Sequence, residues 1–409
     1  MKEVCIFNYT SSAAVYGIGT YIKEYVYCLK NIGCKINLIE LGTDKLRTEF
    51  YINEEGIVRT IHFPYLLKWN IDNYNEGVCR LLRLYFEDSE NLIFHFHYID
   101  CVSSLFLDNL KKYFPLSKLL FTIHYLLWSA MLKGNVSLFE TIICNRENKI
   151  TRKKYGFIID NFEKEKSILE KIDRIVCLSD DTFNLIQNQY GIKQHVWLIP
   201  NGLRKKFRNL SEKQKMKLRE QYHISNNEKI LLFVGRIDHI KGIEQVMACF
   251  NDVVKEFPKC RLVVIGDGNI IGLIRNCKKA YSKVIFTGRL DKKSLNNWYQ
   301  IADIALFPSF YEECSYVGIE MMMHGLPIIA SDGYSVKNMF HERINAKIAK
   351  IEKWTSMLNF QKNLKENILY VLNFGLLELE LKKGSQKAYQ VKYRIDHMQN
   401  RYAELLNSL

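Results

Sequence analysis

The chain has 409 residues, 48% of them hydrophobic and 25% charged, a globular composition with room for roughly two to three domains. Aromatic residues reach 13%, with only 21 glycines and 6 prolines, which excludes a disordered or low-complexity chain. Lysine plus arginine is 58 against 44 aspartate plus glutamate, a formal charge of +14 that favours anionic partners without choosing among nucleotides, nucleic acid and an acidic membrane.

The start of the chain lacks the apolar stretch of a secretory leader, and no apolar run reaches roughly 18 residues, the length of a membrane span. Eleven cysteines are scattered without a C-x-x-C pair. Cys5, Cys28, Cys144, Cys177 and Cys249 sit in apolar segments, as small hydrophobes do. The pattern argues against a disulfide framework or a zinc site and predicts a reducing, cytoplasmic setting.

In chain order, Val4–Phe7 reads as a strand and Asn8–Tyr16 as a small polar loop. Gly17-Ile-Gly19 then opens a helix with apolar residues at Ile22, Val26, Leu29 and Ile32; Gly33 closes it and Lys35–Leu41 is the next strand. This is the start of a parallel α/β sheet. Strands follow at 91–97, 119–124 and 174–179, the last with a helix capped by Ser179 or Asp180. A final strand ends at Pro200-Asn-Gly202. The basic stretch 203–228 reads as a connection plus a first surface helix. The pattern then restarts, with strands at 230–234, 261–265, 284–286, 302–307 and 327–330 and a helix from Ile243 to Phe257. Two successive doubly wound halves with a cleft between them are expected. The tail from Gln386 has helical spacing. Residues 341–385 carry no recognisable motif.

Two segments of the second half carry candidate chemistry. In Gly235-Arg236-Ile-Asp-His-Ile-Lys241-Gly242, two cations follow a strand end just before a helix, where ligands of open α/β sheets bind and helix N–H groups favour anions. Arg236 and Lys241 are therefore candidates to hold a diphosphate, although two surface cations beside a turn have the same appearance. In Pro308-Ser-Phe-Tyr-Glu312-Glu-Cys-Ser-Tyr-Val-Gly-Ile-Glu320, a strand again ends in a small-residue loop entering a helix. Amides at Ser315, Tyr316 and Val317 are expected to be unpaired donors. Glu312 and Glu320 are able to accept hydrogen bonds from a vicinal diol, or are simply solvated acids at a helix start.

Taken together these segments resemble the E-x7-E motif of retaining GT-B glycosyltransferases, specifically glycosyltransferase family four. Ile199-Pro-Asn-Gly202, Val234-Gly-Arg236, Lys241-Gly242, Ile265-Gly-Asp-Gly268, Phe286-Thr-Gly288, Ala302-Asp303, Pro308-Ser309, Glu312 with Glu320, and His324-Gly-Leu-Pro327 occur in the family's order. They cover residues 199–333 densely. Gly17-Ile-Gly19 and Thr122-Ile-His124 resemble its N-terminal segments more loosely.

The resemblance implies an α/β GT-B fold: an N-terminal Rossmann-like acceptor domain (1–203), a nucleotide-sugar donor domain (204–385) and a C-terminal helix (386–409) returning to the first domain. It implies transfer of a sugar from a UDP- or GDP-linked donor to an acceptor hydroxyl, with retention and without a metal or other cofactor; the chain has no D-x-D motif. Arg236, Lys241, His124 and Glu312 then match catalytic positions: the cations for the diphosphate, Glu312 near donor-sugar hydroxyls, and His124 near the sugar and acceptor. Gly17, Gly19, Ser315, Tyr316, Val317 and Glu320 match donor-binding positions, Glu320 for the ribose. His97 is a weaker candidate.

Glu313, Cys314 and Tyr316 depart from the small residues usual in the donor loop, and Gly333-Tyr-Ser335 replaces a glycine pair. The acceptor stays open among glycan, lipid carrier, peptide and small molecule. Peripheral attachment at the inner face of a membrane, through 203–219 or a face of the first domain, is compatible with the charge. No nucleic-acid-binding module is present. A non-catalytic GT-B-like partner of another transferase is the alternative function.

Overall fold

The computed structural model describes all residues except 10–16, 45, 54–55, 65–70 and 277. The chain forms two compact units: 1–132 with 136–202 and 395–409, and 133–135 with 203–394. Each is built on a sheet covered by helices.

The first unit runs β1 (Glu3–Tyr9), α1 (Gly17–Ile32), β2 (Lys35–Thr43), β3 (Arg47–Asn53), β4 (Gly56–Pro64), α2 (Ile71–Leu82), β5 (Leu92–Phe96), α3 (Ser104–Tyr113) and β6 (Lys118–Ile123). It continues through α4 (Leu127–Met131), α5 (Val136–Cys144), α6 (Lys149–Leu169), β7 (Arg174–Cys177), α7 (Asp180–Asn188) and β8 (Val196–Leu198). The strands pair in the order β3-β4-β2-β1-β5-β6-β7-β8, parallel except for the β3–β4 hairpin. Central strands are continuous apolar runs because both faces are covered; all five residues of β5 are buried. Gly33, at φ +87°, ends α1 in a Schellman motif, with Cys34 N–H donating to Leu29 O and Gly33 N–H to Lys30 O (both 3.0 Å).

The second unit comprises α8 (Glu212–Gln221), β9 (Lys229–Val234), a 3₁₀ turn (His239–Lys241), α9 (Ile243–Glu256), β10 (Cys260–Ile265), α10 (Ile270–Asn276), β11 (Val284–Gly288), α11 (Lys292–Ile301) and β12 (Ile304–Phe307). Then come α12 (Tyr316–Met323), β13 (Ile328–Ser331), β14 (Ala346–Ala349), α13 (Leu358–Asn373) and α14 (Gly375–Ala388). Its sheet is wholly parallel, in the order β11-β10-β9-β12-β13-β14. Phe233, Val246, Phe250, Leu262, Val264, Leu306, Phe360 and Leu364 form part of one core. The chain thus contains two Rossmann-like α/β halves.

The last helix, α15 (Ile395–Asn407), belongs to the first unit. It buries Met398, Tyr402, Leu405 and Leu406, and Tyr402 lies 4.6 Å (ring centroids) from Tyr25 of α1.

Several elements differ from the sequence reading. The tail is two helices separated by a π-turn (Tyr389–Tyr393) and an extended Arg394. The return to the first unit begins at Ile395 rather than 386, because α14 is tied into the second unit by Ser385 Oγ donating to Leu326 O (2.9 Å). The β3–β4 hairpin, α4–α6 and β14 had no clear signal. Cys144 is exposed, since it ends α5 on the side opposite Phe139, Ile142 and Ile143.

One buried acid makes the first unit pH-sensitive. Glu165 of α6 accepts from Leu127 N–H and Tyr190 O–H (both 2.6 Å), yet its burial pushes its pKa up to about 7. The raised folded pKa means that the contribution of Glu165 to stability is fully present in acid and is lost as pH rises from about 4.5 to about 7. Glu165→Gln should remove a decline on the order of 2–3 kcal/mol over that window, read by urea unfolding at each pH.

Candidate functional site

In the second unit, winding proceeds from β9 to β10 and β11 on one side, then switches to β12 on the other. The loops after β9 and β12 are therefore neighbours at a switch point, the usual ligand position in such sheets. Phe310 N–H donates to Ile240 O (2.7 Å), stitching the two loops together. Gly242 enables this contact: its φ is +68°, and an added Cβ would lie 2.1 Å from Pro308 O.

Asp238 shapes the β9 loop. Its carboxylate caps the 3₁₀ turn by accepting from Lys241 N–H (3.1 Å) and pairs with Arg236 Nη2 (3.1 Å). Arg236 is half exposed. Lys241 Nζ reaches across to Glu312 Oε1 at 2.6 Å, and the Glu312 side chain is only 9% exposed. The Glu312 backbone is fixed by its N–H to Tyr334 O (3.1 Å), and Tyr334 N–H in turn donates to Phe310 O (2.9 Å). Tyr311 stacks on Tyr334 and its hydroxyl bonds Glu313. Arg236, Lys241 and Glu312 thus converge on the paired loops.

Glu320 lies in α12, which Ser315 caps through Oγ. Both Glu320 oxygens are engaged: Oε1 by Lys292 Nζ and Oε2 by Tyr299 O–H at 2.9 Å. The expectation of unpaired amides is corrected at Ser315, whose N–H meets Met339 Sδ at 3.3 Å. Tyr316 is buried and Val317 partly so.

Sequence reasoning missed the contacts made by the basic connection. Phe207 stacks on His324 (3.8 Å between centroids, 8°), Tyr299 flanks the same ring (4.9 Å), and burial pushes the His324 pKa down to about 3. Neither aromatic lay in a periodic segment that pointed to the other.

In the first unit, His124 directly follows β6. Its Nε2 lies 3.2 Å from Nδ1 of His97, just past the adjacent strand β5, and Tyr21 of α1 packs edge-on to it (4.5 Å). Burial pushes the His124 pKa down to about 3. Gly17 and Gly19 occupy the first turn of α1; residues 10–16 of the preceding loop lie outside the described residues. An added Cβ at Gly17 meets no described atom within 4 Å, so nothing described around it demands glycine there.

Two family models match this chain, one described as Glycosyltransferase Family 4 over residues 15–206 and one as Glycosyl transferases group 1 over 214–367. Together the two models span most of the chain and support a GT-B glycosyltransferase of family 4 type. Sucrose-phosphate synthase from Thermosynechococcus elongatus superimposes with a TM-score of 0.76 at 19% identity, covering 100% of this chain and 99% of that one. Anabaena Alr3699/HepE in complex with UDP-glucose does so with a TM-score of 0.71 at 12% identity, covering 100% of both. These likenesses concern the fold. Among curated sequences, alpha-monoglucosyldiacylglycerol synthase of Streptococcus pneumoniae is 29% identical over 185 residues, 44% of this chain and 42% of that protein. An uncharacterized 41.2 kDa protein in the cps region of Klebsiella pneumoniae is 23% identical over 62% of this chain and 69% of its own length. The chain spans less than half the length of the first curated relatives it matches.

The ion pair of this GT-B chain is separately testable. Lys241→Met leaves a buried Glu312 carboxylate unpaired and should destabilise more than the double variant Lys241→Met/Glu312→Gln. A double-mutant cycle by urea denaturation should give a coupling of about 1–3 kcal/mol.

Proposed function

We propose that the chain transfers a glycosyl group from a UDP- or GDP-linked sugar to an acceptor hydroxyl with retention of configuration. The observation that carries this reading is the switch-point arrangement: two cations on one loop, one of them ion-paired with an acid on the neighbouring loop, and a second acid eight residues on. In this reading Arg236 and Lys241 hold the donor diphosphate, Glu312 faces the sugar hydroxyls and Glu320 accepts from the ribose diol.

Lys241 must then exchange Glu312 for phosphate oxygens. Two charges about 4 Å apart interact by about 4 kcal/mol at an effective dielectric near 20, so a doubly charged diphosphate competes well with one carboxylate. As the bond between C1 and the diphosphate oxygen breaks, both cations stabilise the growing negative charge, the task a metal performs elsewhere. The acceptor oxygen bonds to C1 on the same face, and its proton passes to the departing diphosphate. Glu320 has lone pairs beyond those used by Lys292 and Tyr299, which suits a diol. Donor binding is expected by calorimetry with UDP- and GDP-sugars. Lys241→Ala should lower kcat at least about 100-fold with the fold retained, whereas Glu320→Gln should act mainly on donor KM; unchanged kinetics in both would refute these roles.

A second reading concerns where the acceptor is met, and one observation favours it. On α6, Ile150 is 78% and Phe157 70% exposed, beside exposed Lys149, Arg152, Lys153 and Lys154. The helix is kinked at Tyr155, and the part after the kink is buried through Ile158, Ile159, Phe162 and Ile168. Apolar side chains among cations suit attachment to an anionic bilayer, in keeping with the diacylglycerol named in the Streptococcus relative. The connection 203–219 suits it less, since Phe207 and Arg219 are engaged in the second unit. Co-sedimentation with phosphatidylglycerol vesicles, but not phosphatidylcholine vesicles, is expected, and Ile150→Glu/Phe157→Glu should abolish it; equal binding by that variant would contradict the attachment.

A further inference from the structure

We infer that His97 is a positioning residue that fixes the tautomer of His124, so that His124 offers an N–H donor, on Nδ1, to its ligand. The inference rests on the reading of His124 as a substrate-facing group, and it follows from three hydrogen-bond facts.

His97 and His124 leave adjacent parallel strands, whose last paired residues are Phe96 and Phe121. Their hydrogen bond joins two ring nitrogens, His97 Nδ1 and His124 Nε2. Such a contact holds one proton. Burial lowers the pKa of both rings, so both are neutral at physiological pH and each carries one N–H.

The remaining nitrogen of His97, Nε2, is buried with no partner. If the His97 proton sat there, it would be an orphaned buried donor, which is rarer in folded proteins than an under-used acceptor. The proton therefore sits on Nδ1 and is donated to His124 Nε2. A neutral His124 that accepts at Nε2 must carry its own proton on Nδ1. It then binds an oxygen of the substrate by donation, and it cannot accept a proton at Nδ1 in this state.

The neighbouring ring obeys the same rule. His95 has a buried, unpartnered Nδ1 and places Nε2 2.8 Å from Thr122 Oγ1, so Nε2 carries its proton and donates to the threonine. Thr122 Oγ1 lies 3.2 Å from Tyr21 O–H and 3.3 Å from Tyr402 O–H, and the two tyrosine hydroxyls bond each other. His95 and His97 pack 4.2 Å apart by ring centroids. This cluster leaves His97 little freedom to turn over and exchange its two nitrogens.

The test is 15N-detected imidazole spectroscopy of the full chain at neutral pH. His124 and His97 should both show Nδ1–H, the less common form in solution, and His95 should show Nε2–H. An Nε2–H on His124 overturns the inference. Kinetics give an independent arm. His97→Leu removes the donor that holds the tautomer and orientation of His124 and should lower kcat/KM at least about tenfold with the fold retained. His97→Asn keeps an N–H near the Nδ1 position and should restore activity to within about threefold. Equal losses in the two variants, with both folded, also overturn it. If the spectra agree with the assignment but His124→Ala leaves transfer intact, the substrate-facing reading of His124 fails while the tautomer assignment stands.

Discussion

A parallel sheet that changes its winding direction leaves two strand-end loops side by side, and in the second unit this constraint organises everything proposed for the site. The loops after β9 and β12 meet through a backbone hydrogen bond and a glycine that lets one pass close to the carbonyl of Pro308. Across that junction Lys241 and Glu312 form a largely buried ion pair. Paired charges in such a setting are retained at a desolvation cost, so a ligand that replaces one partner gains from charges already desolvated and held in position. Arg236, fixed by Asp238, adds a second cation that stays half exposed.

The first unit repeats the sheet logic with different chemistry. Around the ends of β5 and β6 it gathers neutral histidines and, from α1 and α15, tyrosine hydroxyls. Tyr402 of the returning helix joins that network through Tyr21 and Thr122. The last segment of the chain is therefore part of the polar core beneath His124, which gives the return of α15 a consequence beyond covering apolar surface.

Much of the fold was legible because buried parallel strands are short apolar runs ending in turn residues, as at Ile230–Val234 and Arg261–Ile265. The β3–β4 hairpin was not, because its half-polar strands at a sheet edge resemble loop. Nor were α4 and α5, which are short, or α6, whose apolar and basic residues mix without a clean period. At the site, the order of motifs singles out Lys241, Glu320 and His124, and the structure adds their partners: Glu312 for Lys241, Lys292 and Tyr299 for Glu320, His97 for His124. These pairings join residues from 21 to 71 positions apart in the chain, where local spacing carries no information. The expectation for Ser315 failed for the same reason, since Met339 approaches it from a distant loop.

The central claim is that Arg236 and Lys241 bind a diphosphate while Glu320 binds the attached ribose. A crystal structure of the chain with UDP or GDP tests it most directly. The account predicts phosphate oxygens on Arg236 and Lys241, both ribose hydroxyls on Glu320, and Lys241 Nζ drawn away from Glu312. A nucleotide bound elsewhere, with the Lys241–Glu312 pair undisturbed, would contradict it.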